Sequence, residues 1–291
     1  MQRLTFSAAL EEIGDYAFAS CTYLLSANMG STRLKRIGEY AFSECKSLDT
    51  VKAPSTLVYV GPCAFEATSW VDNSISTGIM YIGSVALKYN GTMVFNSQKR
   101  LSVKSGTAMV AGEAFWWNPD IISFTACSSL DYIGERAFTG CTAMETVTLN
   151  DGLKGIGADA FRECSALKSL TVPASVTEIG ERAFGLTYDE ETFTFVPDSE
   201  FTVYCAFMSA AHIYARDNGI RYVLSDMPAP GDVDGDGDIT TDDARTALRY
   251  AAGLIELNDI QKFSADIDGN GTVTTAEARR ILRASTGLEA L

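Results

Sequence analysis

The sequence predicts an α/β solenoid with a parallel ladder of short strands, followed by a small all-α module built on two loop–helix units. Three observations predict it. One phrase recurs eight times at intervals near 23 residues, a proline-bearing break falls at residues 225–230, and a second, unrelated duplication follows at an offset of 34 residues.

The recurrent phrase, Ile-Gly-x-x-Ala-Phe, begins at Ile13, Ile37, Ile133, Ile156 and Ile179, with looser copies at Val60, Ile82 and Val110. Successive starts are 24, 23, 22, 28, 23, 23 and 23 residues apart. Each copy runs into a second phrase, such as Leu48-Asp-Thr-Val51 or Leu167-Lys-Ser-Leu170. Its alternation suits one short strand per repeat with half the side chains inward. Gly-x-x-Ala-Phe reads as the return turn: Gly relieves a tight backbone, and the small Ala lets Phe wedge between layers. One repeat cannot bury its apolar face alone, whereas stacked copies can.

The 28-residue interval holds Tyr81-Ile-Gly-Ser-Val-Ala-Leu-Lys-Tyr89-Asn-Gly, which reads as an inserted hairpin. Residues 201–219 read as a terminal cap containing a helix, with Ser209 as its N-cap and Gly219 as its stop. A cap closes an edge that would otherwise be open. These motifs resemble the BspA-like leucine-rich repeat family of bacterial surface and secreted proteins. The resemblance implies a leucine-rich-repeat solenoid over residues 1–224.

Chemistry is hard to find in that region. His212 is the only histidine, so Ser-His and Cys-His catalysis have almost nothing to use. Glu190 and Glu191 fall in an expanded loop after the eighth copy and read as a solvated acidic segment. Seven cysteines exclude a complete disulfide framework. Cys21, Cys45, Cys141 and Cys164 each follow a Phe by three residues and read as buried thiols. Asp49, Thr50, Lys52, Glu145, Thr146, Thr148, Lys168, Ser169 and Thr171 are expected to face outward. That polar face is open to a protein, a glycan or plain solvent. Trp116-Trp117 replaces a small pair such as Thr139-Gly140. Three readings stand: a stacking platform for a sugar ring, an anchor for a partner, and a cover for the irregular repeat next to it.

A net charge of −14 argues against nucleic acid and anionic membranes, which need clustered Lys and Arg. No apolar run approaches the ~20 residues of a membrane helix, so no membrane insertion is expected. The opening Met1-Gln-Arg-Leu-Thr-Phe lacks the apolar segment of a signal peptide and starts partway through a repeat, so secretion is inferred from the modules.

Ser225-Asp-Met-Pro-Ala-Pro230 reads as a short, semi-rigid linker. Beyond it, in residues 231–291, Asp232 to Asp243 aligns with Asp266 to Glu277. Both fit a twelve-residue calcium loop followed by a helix. Calcium takes six to eight oxygens, and such a loop presents side chains at positions 1, 3 and 5. These are Asp232, Asp234 and Asp236, then Asp266, Asp268 and Asn270. Gly237 and Gly271 supply the sharp turn at position 6. Asp238 and Thr272 offer carbonyls at position 7, and Thr240 and Thr274 a water-mediated contact at position 9. Asp243 and Glu277 close the set at position 12, so two Ca²⁺ ions are expected. With one formal charge fewer, the second loop is expected to bind more weakly. Ile239 and Val273 would pin the loops to a common core. Without cation the clustered carboxylates repel, so calcium is expected to drive folding.

Pro228 and Pro230 leave no helix before the first loop, unlike a full EF-hand. Loop plus trailing helix, duplicated, resembles the dockerins of bacterial cellulosomes, from which Glu277 departs by standing where Asp is usual. The resemblance implies an extracellular chain attached to a cellulosome or cell surface, docked on a cohesin module of a scaffoldin or anchor protein. By position the implied contacts are Thr241, Asp242, Leu248 and Arg249, with Thr275, Ala276, Leu282 and Arg283. Three of the four are identical between copies, which permits two orientations related by a half-turn. Leu248 and Leu282 also fit a core-facing stripe. The expected function is a non-catalytic, cohesin-docked component whose repeats bind protein or polysaccharide. Alternatives are a surface adhesin tethered by its dockerin, and part of an enzyme whose catalytic module lies upstream of residue 1.

Overall fold

The computed structural model describes residues 3–73, 78–90 and 100–291. Met1, Gln2 and Gly91 of the segments quoted above lie outside the described residues. The chain divides into two compact units, Met1–Val223 and Leu224–Leu291.

The first unit is a solenoid of about nine turns. Each regular turn contributes two strands rather than the single one expected. On one face Arg3–Thr5, Ser26–Asn28 and Thr50–Lys52 pair in parallel, residue for residue, as do Arg100–Ser102, Ser123–Thr125 and Thr146–Thr148. A second ladder runs through the recurrent Ile, with Ile13 opposite Ile37 and Ile37 opposite Val60. Sequence alternation revealed only the longer strand, because a strand of two residues has no period to read. Among the described residues of the solenoid, helix is confined to α1 (Ser69–Asp72) and the capping α2 (Ala210–Asp217).

Gly in the recurrent phrase has a different task from the one expected. Neither Gly134 nor Gly157 is left-handed. A Cβ on Gly157 would instead lie 2.5 Å from Glu135 N, and one on Gly134 would lie 2.5 Å from Gly112 N, both in the preceding turn. Gly14, in the first turn, would meet nothing. Glycine is therefore required by the closeness of the neighbouring turn. The left-handed positions fall two residues later, on Tyr16, Tyr40, Cys63, Glu113, Arg136, Asp159 and Arg182. Each costs roughly 1 kcal/mol.

The recurrent phenylalanines stack face to face through the interior. Ring centroids are 5.1 Å apart for Phe18–Phe42, 5.2 Å for Phe42–Phe65, 5.0 Å for Phe115–Phe138 and 5.3 Å for Phe138–Phe161. Such pairs add about 0.5–1.5 kcal/mol beyond the area they bury. Cys45, Cys141 and Cys164 are buried, and each Sγ donates to the carbonyl of the Phe one turn earlier, at 3.0, 3.3 and 3.2 Å. Burial pushes the Cys141 thiol up to about 12 and raises Cys45 and Cys164 likewise. Cys21 departs from the expectation and is exposed.

The irregular interval is an antiparallel hairpin, Gly78–Ile82 with Val85–Asn90. Its second strand, not Ile82, carries the repeat phase: Met109 and Val110 pair with Val85 and Ala86. Tyr89 N donates to Ala114 O at 2.8 Å, the bond that Phe115 N makes to Ala137 O in the next turn. On the other side the ladder does not continue, for Tyr59–Val60 and Val85–Asn90 belong to separate sheets. The outer strands split at the same place, between Thr50–Lys52 and Arg100–Ser102. Among the described residues, this is where both ladders stop together.

The expanded loop is likewise a hairpin, Leu186–Asp189 with Thr194–Pro197, and Glu190 and Glu191 at its tip are exposed. Ser209 Oγ accepts from His212 N at 3.2 Å, and Gly219 has φ +67°, so the cap helix starts and stops as its sequence implies. His212 is buried, with Nδ1 accepting from Met208 N at 3.0 Å.

Gly157→Ala is expected to lower the thermal midpoint markedly, with overpacking costing about 1–3 kcal/mol. Gly14→Ala is expected to leave it unchanged, and equal effects in calorimetry would contradict the close-approach account.

Candidate metal loops and the helical face beside them

The second unit is all helical among its described residues: α3 (Thr241–Ala251), α4 (Asp259–Ala265) and α5 (Thr275–Ser285). Its core gathers Val233, Ala244, Ala247, Leu257, Ala265, Ala278 and Ile281, with Ile239 and Val273 packed against them as expected of position 8. α4 was not anticipated. Its signal is a capping box, in which Asn258 and Gln261 exchange bonds between side chain and backbone. The second loop thus has a helix before it and the first does not. Pro228 and Ala229 belong to this unit, where Asp232 N donates to Ala229 O at 2.9 Å.

Each loop is wound by its own position-1 carboxylate. Asp232 accepts from Gly235 N at 2.8 Å and Gly237 N at 3.0 Å, and Asp266 accepts from Gly271 N at 2.7 Å. Gly237 and Gly271 are left-handed, with φ +97° and +84°. Side-chain oxygens of Asp232, Asp234 and Asp236 all lie within 4.8 Å of one another. No other such trio of acidic, cysteine or histidine side chains occurs among the described residues.

Asp243 is fully buried and accepts from Val233 N at 2.7 Å, Thr240 N at 2.8 Å and Thr240 Oγ1 at 3.0 Å. Thr240 therefore caps α3 while its bond to Asp243 ties the helix to the loop. Glu277 does the same for α5, accepting from Thr274 N at 2.8 Å and from Thr274 Oγ1. Loss of solvent, with Asp243, Asp236 and Asp232 nearby, holds the Asp234 carboxyl above the usual aspartate range. The Thr274 hydroxyl holds Glu277 below its usual range. A carboxylate cluster of this kind, all oxygen and open on one side, fits a hard divalent cation.

α3 packs on α5, and a cleft of ≈ 400 Å³ runs along their exposed side. Four matched pairs line it: Thr241 with Thr275, Ala244 with Ala278, Arg245 with Arg279, and Leu248 with Leu282. Leu248 and Leu282 are 48% and 45% exposed, which settles them as surface residues; Ala247 and Ile281 face the core. Of the eight implied contacts, Asp242, Arg249, Ala276 and Arg283 are exposed but do not line the cleft. Arg283 is 3.4 Å from Glu289, and Asp242 is 2.9 Å from Arg245. Arg245 and Arg279, which recur at the 34-residue offset, line the cleft although they are not among the implied contacts.

The family description "BspA type leucine rich repeat region" matches residues 1–104 and 108–213. The chain belongs to the BspA-type leucine-rich repeat family. A dockerin type I domain matches residues 230–284. Both are non-catalytic modules, typical of extracellular or cell-surface proteins, and together they indicate protein–protein interaction and cellulosome-type association. Type I dockerins bind calcium. No helix among the described residues is long and apolar enough to cross a membrane.

Solved structures of similar fold include a leucine-rich cell-surface protein from Faecalibacterium prausnitzii, 16% identical over 77% of this chain and 74% of that one, with a TM-score of 0.41. The pneumococcal vaccine antigen PcpA is 15% identical over 74% and 71%, with a TM-score of 0.37. A leucine-rich repeat protein from Bacteroides capillosus is 23% identical over 42% and 85%, with a TM-score of 0.33. No curated relative matches the chain.

After chelation and calorimetric titration, Asp234→Ala is expected to abolish calcium binding by the first loop. Asn270→Asp is expected to tighten the second about tenfold by restoring a charge. An unchanged second-loop affinity would show that charge count does not set the difference.

Proposed function

We propose that this chain is a secreted, non-catalytic component that docks on a cohesin of a scaffoldin or cell-surface anchor and presents its repeat domain to a protein or polysaccharide. The observation that carries this reading is the cleft between α3 and α5, to which the two duplicated helices contribute the same four residue types. One calcium ion is held by Asp232, Asp234, Asp236, Asp243 and the Asp238 carbonyl, with Thr240 reaching through water. A second is held by Asp266, Asp268, Asn270, Glu277 and the Thr272 carbonyl, with Thr274 in the matching role.

The ions neutralise carboxylates that otherwise repel one another, fixing each loop. Because Asp243 and Glu277 are also tied to the N-caps of α3 and α5, loop closure and helix placement are coupled. Thr241, Asp242, Leu248 and Arg249, with Thr275, Ala276, Leu282 and Arg283, then form a face of near-twofold repetition. Arg245 and Arg279 join it from within the cleft.

A cohesin array read with calcium and with EDTA tests the proposal on the full chain. Binding to at least one cohesin is expected only with calcium. Leu248→Ala with Leu282→Ala should weaken it by about 2 kcal/mol or more, the scale of an interface hot spot. Arg249→Glu with Arg283→Glu should weaken it as well. Binding that survives EDTA, or that ignores both double variants, would refute the assigned face.

A further inference from the structure

We infer that the solenoid carries a binding site for a neutral, hydroxyl-rich glycan chain, built around Trp116 where the irregular turn interrupts the ladders. This rests on the reading of the repeat domain as the ligand-binding half and is separate from cohesin docking.

The site originates in the hairpin. At the hairpin the chain runs on as a strand through Val85–Asn90, where a regular copy would form its return turn. The turns on either side consequently meet without a full layer between them: Cys63 Sγ lies 3.6 Å from Glu113 Oε2, fifty residues away. Beside that contact a cleft of ≈ 390 Å³ opens, within the range of about 300–1,000 Å³ typical of small-molecule sites. Phe65, Tyr89 and Phe115, all buried, form its apolar lining, while Glu66, Glu113 and Asn118 bring polar groups to it.

Trp116 also lines this cleft and is 52% exposed. Its neighbour Trp117 is engaged differently. A Cβ on Gly140 would lie 2.7 Å from Trp117 Cδ2, so that indole is seated over the glycine of the next turn. Trp117 borders a second cleft of ≈ 370 Å³, whose polar groups include Glu163 and Asp198. The two rings stand at 82° with centroids 6.4 Å apart, forming a ridge with a cleft on each side. Trp117 is as exposed as Trp116 but has this seat on the next turn.

The chemistry selects the ligand class. An exposed indole offers a flat apolar face for the C–H side of a sugar ring. Carboxylate and amide oxygens around it accept from ring hydroxyls. An anionic glycan would meet Glu66 and Glu113 against Lys88 in the first cleft, and Glu163 and Asp198 in the second, in a protein of net charge −14. A peptide anchor favours an interface centre depleted of charge, which these clefts are not. Two clefts joined by an aromatic ridge suit a chain of several sugars better than a single one.

The test presents the calcium-loaded full chain to neutral gluco-, xylo- and manno-oligosaccharides, to uronic-acid glycans and to a peptide array, with indole fluorescence as a second readout. Saturable binding to a neutral glycan is expected, with a change in indole emission. Trp116→Ala should weaken it about tenfold, ~1.4 kcal/mol, and Trp116→Phe less, with thermal midpoint and calcium affinity unchanged. Glycan binding indifferent to Trp116→Ala and Trp117→Ala would overturn the site. Peptide or uronic-acid binding lost in Trp116→Ala, without neutral-glycan binding, would overturn the ligand class. Should the chain bind nothing of any class, the ligand-binding reading of the repeat domain falls with it. A peptide held elsewhere would leave that reading standing and sink only this proposal.

Discussion

The separation of adjacent turns governs the solenoid. Parallel pairing brings backbones to roughly 4.8 Å, and in the return segment the approach leaves no room for a side chain at Gly38, Gly61, Gly134, Gly157 or Gly180. That spacing also allows the buried phenylalanines to stack face to face and lets a cysteine thiol reach the carbonyl of the turn before it. Left-handed backbone at residues as unsuited to it as Tyr40 and Arg136 is the local cost of the same geometry. It is offset along the row. Tyr16 stacks on Tyr40 at 5.1 Å, Arg136 reaches Glu113 at 3.4 Å, and Arg182 pairs with Asp159 at 2.9 Å.

The dockerin applies a different logic. Its core is small and rich in alanine, so apolar burial alone is a modest source of stability. Positional control passes through carboxylates instead. Asp243 bonds both to the start of its loop at Val233 and Asp234 and to the N-cap Thr240, and Glu277 bonds to the N-cap Thr274, so the loops and the helix starts are tied. The exposed face of α3 and α5 inherits its regularity from that arrangement, which is why a duplicated sequence yields a duplicated surface.

Much of this was legible in the sequence because repetition amplifies weak signals. The period of the repeats, the inserted hairpin and the cap helix from Ser209 could all be read directly. What escaped was set by tertiary contact. The two-residue strands are too short to show a period. The reason for glycine lies in the neighbouring turn rather than in its own. Leu248 fitted a helical stripe equally well as core or surface, and only the packing of Ala247 and Ile281 decided between them. Arg245 and Arg279 repeat at the 34-residue offset like many other positions, and only the cleft between α3 and α5 sets them apart.

The simultaneous end of both ladders at the hairpin bears on how the solenoid comes apart. In a stacked array, cooperativity passes between nearest neighbours. Here, among the described residues, the strand ladders are interrupted beside Tyr59–Val60, although Ser84 N still donates to Leu57 O across the seam at 3.0 Å. Unzipping that starts at one terminus meets fewer strand pairings at this seam, an arrangement that favours two cooperative blocks in series over one.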